Sequence, residues 1–222
     1  MECSRTTQVR NCVWNSIRTE TVPPKFSKAV FLDRDGVIVH NREQYIRSWA
    51  DVKIYPLALE ALAKLAELDT YIFLVTNQSA IGRGLVSYEM VAHINQHLIE
   101  IIRKNNGRVD RVFICPHAPQ ENCNCRKPQP GMILQAQQEY QVDLSQSWLV
   151  GDAFSDLMAA QNAGVSHKIL VQTGRGNKQF TQHRLALQKI SFLRTKNLET
   201  AVRLIQAENQ EFAGQPSFLV KE

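Results

Sequence analysis

Short apolar runs that end in polar residues, separated by helical patterns, restrict the fold of this chain more than any other feature. Residues 29–32 (AVFL) run into Asp33, residues 71–76 (YIFLVT) end in Thr76, and residues 111–115 (RVFIC) end in a cysteine. Residues 147–152 (SWLVGD) end in Asp152, and residues 167–172 (HKILVQ) make a fifth run. A strand covered on both faces of a parallel sheet reads as a near-continuous hydrophobic stretch. Between these runs the apolar residues keep helical spacing: Leu59, Leu62, Ala63 and Ala66 after Pro56, and Ile133, Ala136 and Tyr140 after Pro130-Gly131. Val91, Ile94, Leu98, Ile101 and Ile102 line another face, with Ser87 as N-cap and Gly107 past the end. A fourth helix over 156–163 stops at Gly164, and a strand over 190–193 with a helix over 198–207 completes the pattern. Strand and helix in turn predict an α/β fold, a parallel sheet with helices on both faces.

With right-handed crossovers the carboxyl ends of parallel strands share one edge, where open α/β sheets bind ligands. That edge is expected to carry Asp33 and Asp35, then Thr76 followed by Asn77, Gln78 and Ser79, then Asp152 with Asp156 beyond it. Asp33-Arg34-Asp35-Gly36 alone also suits an ordinary turn, because Asp and Gly favour turns. Gathered on one edge, like charges need a cation to offset their repulsion. Asp33, Asp35 and Asp152 are the oxygen donors of a Mg²⁺ site, since that ion binds through a few carboxylates plus a substrate phosphate. A carboxylate there can attack phosphorus and give an aspartyl phosphate. A second acid two residues on can protonate the leaving oxygen and then deprotonate the attacking water. Thr76 is a candidate hydrogen-bond donor to a phosphoryl oxygen. Arg126 and Lys127, just before the helix at Pro130, are candidates to neutralise its charge.

The chain holds five cysteines, an odd number, and three of them, Cys115, Cys123 and Cys125, fall within eleven residues. That crowding points to metal rather than to a disulfide framework. Cys115-Pro116-His117, five further residues and Cys123-Asn124-Cys125 supply three thiols and one imidazole, a closed set that suits structural Zn²⁺. Four protein ligands leave no open position, so zinc here is expected to shape the rim beside Arg126 and Lys127 and to contribute to folding of the loop.

DRDG after an apolar strand, then VTNQS, CRKP and GDxxxD resembles the haloacid dehalogenase-like phosphohydrolases, over roughly residues 28–175. The resemblance implies a Rossmann-like sheet, Asp33 as nucleophile and Asp35 as general acid and base. It also implies Mg²⁺ held by Asp33, the backbone carbonyl of Asp35 and Asp152, with Thr76 and Lys127 contacting phosphate. The short intervals after Asp35 and between the second and third strands leave no room for a large cap domain. With the cysteine loop, the resemblance narrows to the heptose-bisphosphate phosphatases and the histidinol-phosphate phosphatases. TNQSAIGRG and CRKPQPGM look like the heptose branch, which implies substrate contacts from Thr76, Asn77, Gln78, Ser79, Arg126 and Lys127. Two departures bear on substrate. Ala153 stands where that branch commonly has Lys, and the loop over 40–45 (HNREQY) is longer than usual, with Arg42 a candidate to replace the lost charge.

Residues 1–27, polar and poor in acids, read as an N-terminal extension, 28–207 as the phosphatase domain and 208–222 as a tail. No apolar run approaches the ~18 residues of a membrane helix, and no secretory h-region is seen at the N-terminus. The net charge of +5 is scattered, without the basic stripe of a nucleic-acid binder. The expected partner is a small phosphorylated metabolite, with no nucleic acid and no membrane, and the expected state is a cytoplasmic monomer. A different class of protein, a non-catalytic zinc-binding interaction module, has no chemical reason to keep Asp33, Asp35, Thr76, Lys127 and Asp152 together.

Overall fold

A computed structural model describes residues 26–213. The strands are β1 (Ala29–Leu32), β2 (Tyr71–Asn77), β3 (Arg111–Cys115), β4 (Trp148–Gly151), β5 (His167–Val171) and β6 (Leu193–Thr195). All pair in parallel, in the order β3-β2-β1-β4-β5-β6. The helices are α1 (Ala58–Ala66), α2 (Ser79–Gly82), α3 (Tyr88–Lys104), α4 (Gly131–Tyr140), α5 (Phe154–Ala163), α6 (Gly176–Gln182), α7 (Arg184–Leu187) and α8 (Leu198–Ala213).

The β1 sequence explains its place. Successive side chains of a strand point to opposite faces. Val30 and Leu32 pack into one core with Leu62 and Leu65 of α1, Ile94 and Leu98 of α3, and Val202 and Ile205 of α8. Ala29 and Phe31 pack into the other, with Met132 and Ile133 of α4 and Ala159 and Ala160 of α5. Both faces are dry, so no polar residue is tolerated until the strand ends at Asp33. The register sets Leu32 beside Leu74 of β2 and Val150 of β4, which leaves Asp33 at the middle of the carboxyl edge.

The helix signals act as read. The Ser87 hydroxyl accepts from the Met90 N–H at 3.1 Å, capping α3, and Gly164 ends α5 in the left-handed region at φ 88°. Most boundaries shift by one or two residues, and three differences bear on the ends of the domain. The last strand is Leu193–Thr195 rather than 190–193, because Ile190 is buried with Leu157, Leu170 and Leu187 and Phe192 packs on that cluster, so both belong to the helical layer. Helix α8 continues past residue 207 to Ala213. Phe26 already packs edge-on against Tyr71 at 5.2 Å, ahead of Lys28. The rest of the N-terminal extension, residues 1–25, and the tail beyond 213 lie outside the described residues.

Between β1 and α1 the chain forms only a 3-10 turn at Trp49–Asp51 and isolated bridges, so no large cap domain covers the edge. No helix among the described residues is long and apolar enough to cross a membrane.

Candidate active site

Asp33 is fixed from three sides. Its N–H donates to the Val150 carbonyl at 3.0 Å, and its Oδ1 accepts from the Arg34 N–H at 2.8 Å and lies 3.0 Å from Lys127 Nζ. Its other oxygen, Oδ2, has no protein partner among the described residues. Asp152 stands at the end of β4, fully buried; Oδ2 accepts from the Arg175 N–H at 2.8 Å, while Oδ1 has no hydrogen-bond partner among the described residues. Gly36 allows this approach. It sits at φ 92°, and a Cβ there would come within 2.1 Å of Asp152 Oδ2.

Carboxylate oxygens of Asp33, Asp152 and Asp156 lie within 4.8 Å of one another. Asp156 is committed elsewhere: one oxygen is 2.7 Å from Lys127 Nζ and the other accepts from the Ala153 N–H at 2.9 Å, closing the first turn of α5. A buried carboxylate oxygen without a donor, beside a second acid with an open oxygen, fits a hard divalent cation. Asp33 and Asp152 are therefore the side chains that fit Mg²⁺, and Asp156 is the anchor of Lys127.

The electrostatics agree. Without a cation, burial pushes the Asp33 carboxyl up to about 8 against the pull of Lys127, with Asp156 and Asp152 adding to the rise. Burial likewise pushes Asp152 up to about 6, with Asp156 adding to the rise. Burial disfavours the charge on Lys127, but Asp156 and Asp33 outweigh it and hold the ammonium above the usual lysine value. The Lys127 ammonium has three N–H groups, and all are engaged, by Asp33, Asp156 and the Val75 carbonyl at 2.8 Å.

Asp35 stands apart from the metal cluster. The Arg34 guanidinium grips its carboxylate at 2.9, 3.1 and 3.3 Å, and Gln78 Nε2 donates to it at 2.8 Å. The same Gln78 amide nitrogen donates to the Thr76 hydroxyl at 2.8 Å, so one side chain ties the second acid to β2. Arg34 is 1% exposed and is anchored in turn by Asn95 of α3 at 2.8 Å.

The remaining candidates divide. Asn77 spends its amide on the backbone of Lys127. Ser79 opens α2, buried, beside Gln78. Arg126 is half-buried and donates to the His117 carbonyl at 3.2 Å, at the rim. Arg42 pairs with Asp51 at 3.4 Å. Sequence reasoning placed Asp156, the final acid of GDxxxD, on this edge without a role, and left out two residues: Arg34, inside the DRDG run, and Arg175, which carried no signal beyond its place after a strand.

Cys115, His117, Cys123 and Cys125 converge beside this edge, their ligand atoms within 4.8 Å of one another. The separations run from 3.3 to 3.8 Å. A tetrahedron with Zn–S of about 2.3 Å and Zn–N of about 2.0 Å has edges of about 3.5–3.8 Å, so the four groups fit zinc. The loop supports the catalytic strands through its backbone: the Cys115 carbonyl accepts from the Gln78 N–H at 2.7 Å and the Pro116 carbonyl from the Gly82 N–H at 2.8 Å.

This arrangement defines a phosphoryl-transfer site on an α/β scaffold, and comparison with known proteins agrees. Residues 124–191 match the family described as HAD-hydrolase-like. D-glycero-beta-D-manno-heptose-1,7-bisphosphate 7-phosphatase of Bordetella bronchiseptica is 39% identical over 155 residues, covering 70% of this chain and 86% of the relative. The enzyme of the same name from Helicobacter pylori is 40% identical over 146 residues, covering 65% of this chain and 84% of the relative. The crystal structure of D,D-heptose 1,7-bisphosphate phosphatase from B. bronchiseptica, complexed with magnesium and phosphate, superposes with a TM-score of 0.75 at 34% identity, covering 82% of this chain and 99% of that one. The chain belongs to the haloacid dehalogenase-like hydrolases, in the family of the heptose-bisphosphate phosphatases.

Proposed function

We propose that this chain is a Mg²⁺-dependent phosphomonoesterase of carbohydrate metabolism that removes the 7-phosphate of D-glycero-D-manno-heptose 1,7-bisphosphate through an aspartyl phosphate on Asp33. One observation carries the reading. Asp33, with an oxygen open to the edge, and Asp152, with a buried oxygen lacking any donor, converge at the carboxyl end of the sheet in a chain similar to enzymes of that name.

Asp33, Asp152 and the backbone carbonyl of Asp35 are the groups that would hold Mg²⁺, which supplies positive charge to the phosphoryl oxygens and to the two acids. Asp33 attacks phosphorus, the bond to the sugar oxygen breaks, and a proton from Asp35 goes to that oxygen. Asp35 then takes a proton from water, whose oxygen attacks phosphorus and frees Asp33 with inorganic phosphate. Lys127 holds Asp33 in place from its Oδ1 side. Arg34 and Gln78 hold the Asp35 carboxylate, and Thr76 and Ser79 line the phosphate side. In the same reading Zn²⁺ is structural, held by Cys115, His117, Cys123 and Cys125. On this reading the protein works as a cytoplasmic monomer.

The test is turnover of heptose 1,7-bisphosphate beside histidinol phosphate with Mg²⁺. Clear preference for the heptose ester is expected. Equal rates, or preference for histidinol phosphate, overturn the substrate.

A further inference from the structure

Four basic side chains border the carboxylate cluster, and three of them are anchored away from the open edge. Arg34 is buried on Asp35 and Asn95. Lys127 uses all three N–H groups on Asp33, Asp156 and Val75. Arg126 is tied to the metal loop through the His117 carbonyl. Arg175 differs: its side chain is 55% exposed, and its guanidinium is held at one point, by Asp152 Oδ2 at 3.5 Å.

The backbone that carries Arg175 is nevertheless rigidly held. The Thr173 hydroxyl donates to the Gly36 carbonyl at 2.6 Å, the Gly174 N–H to the Tyr55 hydroxyl at 3.0 Å, the Arg175 N–H to Asp152 at 2.8 Å and the Gly176 N–H to the Thr173 carbonyl at 3.0 Å. Only the side chain is loose. A cation bound by Asp152 would offset the nearest of the three carboxylates, Asp152 ahead of Asp33 and Asp156, that hold the guanidinium back. The strand order places Arg175 after β5, two strands from Asp33 on β1 and on the side away from Arg126, which follows β3. Two strand spacings are about 10 Å between main chains; the guanidinium reaches back to 3.5 Å from Asp152 and would swing outward to meet the far end of an extended sugar phosphate.

We propose that Arg175 binds the second anionic group of the substrate, the phosphate that stays on the product, and sets the preference for a sugar bisphosphate over a monophosphate. This rests on the phosphatase reading above and adds the residue that recognises the far end of the substrate. A guanidinium suits the role because its fork matches phosphate oxygens in pairs.

The experiment compares Arg175→Gln and Arg175→Lys with the unaltered chain on heptose 1,7-bisphosphate and heptose 7-phosphate, with Mn²⁺ affinity of each variant followed by electron paramagnetic resonance. In Arg175→Gln, kcat/KM for the bisphosphate is expected to fall at least about 10-fold, mainly through KM, with less than about twofold change for the monophosphate. Arg175→Lys is expected to fall between, and Mn²⁺ affinity in Arg175→Gln to stay level or rise. Equal losses on both esters, or a loss of metal affinity that accounts for the change, overturn the inference and make Arg175 a counter-ion of Asp152. If the unaltered chain does not prefer the heptose ester, the substrate reading falls by itself. The role of Arg175 is then judged on fructose 1,6-bisphosphate against fructose 6-phosphate, where an unchanged ratio in Arg175→Gln overturns it.

Discussion

Asn77 and Lys127 clasp each other by their backbone and amide groups: Asn77 Nδ2 donates to the Lys127 carbonyl at 3.1 Å, and the Lys127 N–H donates to Asn77 Oδ1 at 3.1 Å. The polar end of β2 thus fixes the main chain of the residue whose ammonium holds Asp33. Asn77→Ala leaves both backbone groups of Lys127 unpaired. It is expected to cost about 1–3 kcal/mol of stability and to lower kcat more than it raises KM, as checked by urea unfolding and steady-state kinetics.

Lys127 is buried between two acids and a carbonyl. Removing one partner of a buried ionic set strands the others, at about 3–5 kcal/mol. Lys127→Met is expected to lose that much in chemical denaturation and nearly all turnover. Lys127→Met with Asp156→Asn, which removes the stranded charge, should recover part of the stability and none of the activity.

The raised Asp33 carboxyl makes the metal-free protein sensitive to pH. Unfolded, Asp33 has the ordinary value of 3.8; folded, it stands at about 8. Between those values the native state binds the extra proton, so stability falls as pH rises across that window. Asp152, raised to about 6, adds the same sign over the lower half. Thermal unfolding in chelator should show this decline, and saturating Mg²⁺ should flatten it. Asp33→Asn should remove most of the slope, unfold higher near pH 8 and have no measurable turnover. A metal-free protein whose stability rises from pH 4 to 8 would contradict this account.

Purified protein is expected to contain about one zinc per chain, by the closed four-ligand set. Cys123→Ser should release it and lower the melting temperature. Because the His117 carbonyl holds Arg126 and the Cys115 and Pro116 carbonyls hold residues Gln78 and Gly82, loss of zinc should raise KM as well. Metal content by mass spectrometry and kinetics on the same sample test the link. Retention should also weaken in acid, as the thiolates take up protons.

What was legible in the sequence was local. Ala29 to Leu32 announce a strand buried on both faces, and Ser87 and Gly164 announce helix ends, because each signal acts within a few residues. The cysteine loop is legible for the same reason: its four candidate ligands fall within eleven residues. Asp33, Asp35, Thr76 and Asp152 could be assembled because strand ends share an edge. The tie of Asn77 to Lys127 spans 50 residues and that of Gln78 to Asp35 spans 43, and no periodicity encodes such pairs. Ile190 was misplaced because a lone apolar residue fits a strand and a helical layer equally well, and only its burial against Leu157 and Leu187 decides. Asp156 was visible as a motif letter, but its role depends on Lys127 arriving from another loop.

The placement of β1 has a bearing on how the protein fails. Asp33 donates its amide proton to Val150 and is attached to a strand with neighbours on both sides and a dry core above and below. Amide protons in such central strands exchange only when the whole domain opens. The proposed nucleophile therefore has no private route to disorder. On slow heating in Mg²⁺, inactivation should coincide with global unfolding rather than precede it, and deuterium uptake at residues 30–33 should be the last in the molecule to begin.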